Sequence, residues 1–170
     1  NSLLVHRVTF RLRKSHAGQP NLYYEPLKEA LADKNKTELT SKDVFEAVIK
    51  IRQQRIPDPR IYGNAGSFFK NPIVSEEYFQ ELCKKHGDIP YHKMLDDGYK
   101  IPAAWLIEQA GWKGRKCNNN TTGVSEKHAL VLVNYGGAKG EDIVHLSQVI
   151  LEDIDHKFGI HLEREVIILK

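Results

Sequence analysis

Ser67 lies in the stretch GNAGSFFKNP, residues 63–72, behind small residues that let backbone pass close to a ligand. Phe68 and Phe69 follow it and could anchor the segment while the hydroxyl points elsewhere. A hydroxyl so placed could attack, donate a proton or bond a ligand. The nucleophile elbow needs glycine two residues beyond the serine, and Phe69 fills that place, which argues against a hydrolase nucleophile. In LEREVIIL, Glu163 and Glu165 fall on one face of an expected strand and Val166 and Ile168 on the other. Carboxylates on that face can act on a ligand or merely meet solvent. Arg52 and Arg55 lie three apart at the end of an expected helix, where cations complement the dipole without any further role.

Other chemistries are disfavoured by spacing. In GGAKGED, Gly140 follows Lys139 where a phosphate-binding loop needs Ser or Thr, and the order is not that of a dinucleotide fingerprint. A turn from strand to helix accounts for those glycines. The eight histidines include no pair four apart, so a metal site has little support. His86, His145 and His156 are expected on helices, at surfaces or edges.

The elements that must position these residues follow from periodicity. Val8, Phe10 and Leu12 alternate with Arg7, Thr9 and Arg11, predicting a strand over residues 7–12. Val44, Val48 and Ile51 recur at helical spacing, with Thr40 and Asp43 as a capping box and Pro57 and Pro59 beyond the end. SEEYFQELCKKHG reads as a helix capped by Ser75 and stopped at Gly87, with Tyr78, Phe79, Leu82 and Cys83 as its apolar stripe. DDGYK reads as a tight turn, IPAAWLIEQAGWKG as a helix begun at Pro102 and stopped at Gly111, and NNNTTG as a loop. HALVLVN is apolar enough for a strand buried on both faces. Ile143, Leu146, Ile150 and Ile154 mark a long helix, and IHLEREVIIL, residues 160–169, a closing strand. Helices and strands mix without a regular βαβ repeat, so the expected class is α+β.

At 170 residues the chain suits one ordinary domain with part of another. Hydrophobic residues at 41% and charged residues at 28% argue against disorder, and no apolar run approaches the roughly 20 residues of a membrane-spanning helix. A net charge of +3, with scattered basic residues, gives little support to nucleic-acid binding. Cys83 and Cys117 are expected to be free thiols, which fits a reducing cytoplasm. The first residues, NSLLVHRVTF, have neither an initiating methionine nor the pattern of a signal peptide, so the chain is expected to be cut from something longer.

GNAGSFFKNP, IPAAWLIEQAGWKG, HALVLVN and LEREV, in that order, resemble the C-terminal part of the UDP-N-acetylenolpyruvoylglucosamine reductases, flavoenzymes of bacterial peptidoglycan synthesis. The likeness runs through nearly the whole chain. It implies a cytoplasmic reaction in which NADPH reduces FAD and hydride passes to the enolpyruvyl group of UDP-N-acetylglucosamine enolpyruvate, giving UDP-N-acetylmuramate. The family's proton-donating serine maps onto Ser67, and its stabilising glutamate onto Glu165. Its diphosphate-binding tyrosine, basic residue and asparagine map onto Tyr24 (with Tyr23 adjacent), Arg55 and Asn71, with Arg52 a neighbour. Arg55 occupies a place often held by lysine, and His128 one where some relatives carry glutamine.

The family's flavin-binding region maps upstream of the first residue. The resemblance therefore implies that residues 1–50 are the tail end of the FAD-binding region, that 51–157 form the substrate-binding domain, and that 158–170 are a closing strand carrying Glu165. The terminal strands would belong to, or abut, the missing flavin-binding half, which is the expected partner; neither nucleic acid nor membrane is. FAD would be held mainly by that half, so this chain alone is expected to bind it weakly and not to turn over. A non-catalytic nucleotide-sugar-binding module of the same fold is the rival reading.

Overall fold

A computed structural model describes residues 5–11, 20–96 and 98–169. The chain forms two compact units, residues 1–51 and 52–170.

In the first unit, helix α1 (Glu25–Ala30) has Pro26 in its first turn, and α2 (Ser41–Arg55) begins in this unit and carries its last turn into the second. The capping box at the start of α2 forms as its sequence requires. The Asp43 carboxylate accepts from the Thr40 N–H at 2.9 Å, and the Asp43 N–H donates to the Thr40 hydroxyl at 3.2 Å. Leu27, Leu31, Ala47 and Ile51 form a small core, with Leu22, Leu39 and Val44 packed against it. Val48, expected on the buried stripe, is exposed, and Ala47 takes its place. Residues 5–11 are exposed and pair with no strand among the described residues. The strand expected over 7–12 is therefore not formed there; Leu12, its last residue, lies outside the described residues.

The second unit contains two antiparallel sheets. One has the order β1 (Gly63–Ser67), β7 (Val131–Asn134), β6 (Thr122–Val124), β5 (Lys116–Cys117). The other has β2 (Ile73–Val74), β4 (Tyr99–Lys100), β3 (His92–Lys93). Between them in the sequence come α3 (Glu76–His86) and α4 (Ala103–Gln109), and α5 (Gly140–Phe158) follows β7. Ser75 accepts from the Tyr78 N–H at the start of α3, and Gly87, Gly111 and Gly159 take up the left-handed turns that end α3, α4 and α5. The β3–β4 hairpin accounts for the DDGYK turn, although Asp97 lies outside the described residues.

Strand β7, the apolar HALVLVN segment, lies inside its sheet with Val131, Leu132 and Val133 almost fully buried. Helix α5 packs over β6 and β7 and against α4, presenting Leu146, Ile150, Ile154 and Phe158 to the main core. Cys83 is partly buried against that core, and both cysteines are free. No helix among the described residues is long and apolar enough to cross a membrane. The expected closing strand is corrected: after α5, residues 163–165 run beside residues 68–70, just past β1, and among the described residues 160–169 form a single antiparallel bridge, Arg164 opposite Phe69. Ile167, Ile168 and Leu169 are exposed beyond it, with no ladder partner among the described residues.

Candidate functional site

Ser67 ends β1, and its setting is built by a β-bulge. Asn64 pairs with Val133 and Ser67 with Val131, so Ala65 and Gly66 together oppose Leu132. Gly66 has φ +72°, a region closed to most side chains. Asn64 holds the bulge: its side-chain oxygen accepts from the Gly66 N–H at 3.1 Å, and its amide donates to the Tyr62 carbonyl at 2.9 Å. Beyond the bulge Ser67 is exposed, while Phe68 is 4% and Phe69 1% exposed. The rings are tilted at 59° to one another, 5.4 Å between centroids, and root the segment in the core. Two adjacent phenylalanines between polar residues thus have a physical cause: the rings are buried, while Ser67 before them and Lys70 after them are exposed.

The segment carrying Glu165 is tied directly to this strand. The Glu165 N–H donates to the Phe68 carbonyl at 2.8 Å, and the Lys70 N–H to the Glu163 carbonyl at 2.9 Å. The Lys70 ammonium also bonds the Glu163 carboxylate at 2.8 Å and holds that carboxyl below the usual carboxylate range. Glu163 therefore serves as a staple, and Glu165 is left exposed. On the other side of the segment, Arg164 reaches α5. Its Nε donates to the Ser147 hydroxyl at 2.8 Å and its Nη2 to the Gln148 Oε1 at 2.7 Å.

Arg55 and His128 lie within electrostatic reach of one another. Burial pushes the imidazole pKa down, with the charges of Lys113 and Arg55 adding to the effect and Glu108 opposing it. The Leu130 N–H donates to His128 Nδ1 at 3.2 Å. The ring is therefore neutral near pH 7, and Nε2 carries its proton as a hydrogen-bond donor. Arg52 stands three residues before Arg55 on α2, on a neighbouring part of its surface. It lines a cleft of about 480 Å³ with Gln53, Lys127, Tyr62 and Tyr135. The two tyrosine rings there meet edge to face at 5.2 Å, and Lys127 caps α2 by donating to the Gln53 carbonyl at 2.9 Å. Rings beside cations suit a ligand that joins a flat group to an anion.

Asn71 has a structural task that its sequence position does not reveal. Its side-chain oxygen accepts from the Ala103 N–H at 2.9 Å and so caps α4, whose own N-cap, Pro102, supplies no side-chain bond. The amide N–H₂ of Asn71 is the group that could serve a ligand. Tyr24 belongs to the first unit, where its carbonyl accepts from Leu27 and Lys28 at the start of α1; its side chain is exposed, and that of Tyr23 more so.

The structure thus brings Ser67 and Glu165 onto paired backbone segments and Arg55 toward His128, and Arg52 lines the tyrosine-bearing cleft. Asn64, Gly66, Arg164 and Ser147 were not singled out from the sequence. A serine inside the apolar stripe of α5 was the available signal for the last pair, since a buried hydroxyl needs a partner.

The glycine turn before α5 does not fit the pyrophosphate of a dinucleotide. Gly136 and Gly137 form the only adjacent glycine pair, but the Gly136 N–H is taken by Asn134 Oδ1 at 2.9 Å and the Lys139 N–H by the Asp142 carboxylate at 2.8 Å. With Glu141 and Asp142 in the first turn of α5, this turn would repel a pyrophosphate. No group of three His, Cys, Asp or Glu among the described residues could hold a metal ion.

A family model described as "UDP-N-acetylenolpyruvoylglucosamine reductase, C-terminal domain" matches residues 58–169. The chain is 44% identical over 167 residues to the UDP-N-acetylenolpyruvoylglucosamine reductase of Bdellovibrio bacteriovorus, covering 96% of this chain and 47% of that protein. It is 44% identical over 168 residues to the reductase of the same name from Amoebophilus asiaticus (98% and 48%), and 40% over 166 residues to that of Flavobacterium johnsoniae (98% and 48%). The chain spans about half the length of these curated relatives. An α+β unit with a matching domain over most of its length, and relatives aligned through nearly all of the chain, lead to one assignment: the chain belongs to the UDP-N-acetylenolpyruvoylglucosamine reductase family and corresponds to its C-terminal part.

Proposed function

We propose that this chain is the substrate-handling part of a cytoplasmic, NADPH- and FAD-dependent reductase that converts UDP-N-acetylglucosamine enolpyruvate to UDP-N-acetylmuramate. Residues 51–157 form its substrate-binding domain, 158–170 bring in Glu165, and 1–50 are the end of the flavin-binding region. FAD, held by the other half of the reductase and reduced by NADPH, supplies the hydride.

What this chain contributes is the proton. Addition of hydride to the terminal carbon of the double bond leaves an electron pair on the carbon beside the carboxylate. The Ser67 O–H gives its proton to that carbon, and solvent restores the hydroxyl. An alcohol is a weak acid, but a carbanionic carbon is a strong base, so positioning and exclusion of water suffice for transfer. Glu165 stabilises the enol-like intermediate. Arg55 grips the diphosphate as a fork, joined by Tyr24, Asn71 through its free amide, His128 through Nε2–H and Arg52.

The observation that carries this reading is the exposed Ser67 hydroxyl, set beyond the bulge with Phe68 and Phe69 buried behind it and the Phe68 carbonyl bonded to Glu165. Ser67→Ala in the complete reductase tests it. Reduction of the flavin by NADPH is expected to persist while reduction of the enolpyruvyl group falls about 100- to 10,000-fold. Unchanged substrate turnover would remove Ser67 from the mechanism.

A further inference from the structure

Ser147 is fully buried in α5, among Leu146, Ile150 and Ile154. A hydroxyl costs stability in such a place unless it is bonded. Its own proton goes to the Val144 carbonyl at 2.7 Å, which leaves the oxygen able to accept, and the donor that arrives is Arg164 Nε. The second arm of the guanidinium takes Gln148, whose amide in turn donates to Glu152 at 2.9 Å. One planar fork therefore grips two consecutive residues of a 19-residue helix.

Arg164 is also the residue directly opposite Phe69 in the antiparallel bridge, immediately before Glu165. The segment is thus fixed from two sides, by backbone bonds to the Ser67 strand and by the guanidinium to α5. Past Val166 the chain is exposed, so Glu165 lies near the last anchored point.

We propose that Arg164 is a positioning residue that sets Glu165 relative to Ser67 by clamping its segment to Ser147 and Gln148. The inference rests on the reading of Ser67 and Glu165 given above. It assigns Arg164 no contact with substrate. A displacement on the order of 1 Å at a reacting group can cost about 100-fold in rate, so the clamp should register in turnover before it registers in binding.

The test uses the complete reductase with Arg164→Ala, Arg164→Lys and Ser147→Ala, each also made in a Glu165→Gln background. Arg164→Ala is expected to lower kcat for enolpyruvyl reduction about 10- to 100-fold, with KM for the UDP-sugar within about threefold and flavin reduction by NADPH unchanged. Arg164→Lys, which keeps one donor but not the fork, should fall between wild type and Arg164→Ala; this milder change also keeps the test open if the alanine variant folds poorly. In the Glu165→Gln background the same changes should cost little more, because the group they position is already disabled. An undiminished kcat for Arg164→Ala, or an equal further loss in the Glu165→Gln background, would overturn the inference while leaving the roles of Ser67 and Glu165 intact. If Glu165→Gln alone left kcat unchanged, the catalytic reading itself would fail and this inference with it.

Discussion

The backbone N–H of Glu165 donates to the carbonyl oxygen of Phe68 at 2.8 Å, which fixes a carboxylate-bearing residue against the strand position next to Ser67. That bond is only as rigid as the anchor beneath it. Phe69, 1% exposed, is the adjoining anchor. Phe69→Ala is expected to destabilise the protein by about 3–5 kcal/mol, read from urea unfolding. A loss below 1 kcal/mol would mean that the rings do not root the segment.

Gly66→Ala isolates the bulge. Nothing lies within 4 Å of where the new Cβ would sit, so the cost is that of the left-handed backbone alone, about 1–2 kcal/mol. Relaxation of that backbone would re-aim Ser67, so substrate reduction should fall by more than the loss of folded protein explains. Melting curves beside turnover measurements separate the two.

Asn71 has two ends, and two substitutions distinguish them. Asn71→Ala removes the α4 cap and is expected to cost about 0.5–2 kcal/mol. Asn71→Asp retains an oxygen for the Ala103 N–H but exchanges the amide donor for negative charge. Its stability should stay near wild type while calorimetry shows UDP-sugar binding weakened about 10- to 100-fold. Wild-type binding by Asn71→Asp would exclude the amide from the ligand site.

Two histidines should make stability depend on pH. His86, expected at a surface or edge, is half-buried at the end of α3; its Nε2 is sealed from solvent with no hydrogen-bond partner among the described residues, and its ring packs on Phe158 at 4.8 Å. Burial, with Lys85 adding to it, lowers its pKa, as burial lowers that of His128. The unfolded chain, with histidine near about 6.5, then binds protons more readily than the folded one between those lowered values and 6.5. Stability should therefore rise with pH through that window and be lost as pH falls below 6.5. Urea midpoints at pH 7.5 and 5.5 should differ less in a His86→Leu, His128→Gln double variant than in wild type.

The chain alone is expected to purify without flavin colour: at its paired-glycine turn the Gly136 and Lys139 N–H groups are engaged, and Glu141 and Asp142 follow. Absorbance at flavin wavelengths in the purified chain would contradict this.

Much of the fold could be read from local pattern. The cap residues Thr40, Asp43 and Ser75, the stop at Gly87 and the buried run of β7 act over a few residues, and the structure realises each of them. What pattern cannot convey is what a segment pairs with. Residues 160–169 were expected as a strand, yet among the described residues they form one bridge, at Arg164, because a strand exists by its ladder and not by its own sequence. The site divides along the same line. Ser67 and the inward turn of its two phenylalanines were legible from residue types, whereas the Asn71 cap on Ala103 and the Arg164 fork on Ser147 join residues 32 and 17 apart.

The extra residue in β1 bends the strand without changing its partners. Asn64 and Ser67 lie three apart in their own strand but sit opposite Val133 and Val131, two apart in the other, so the added residue is absorbed as local bend and twist. The hydroxyl is re-aimed while the two rings behind it keep their place in the interior, an adjustment of angle that an unbulged strand with the same partners would lose.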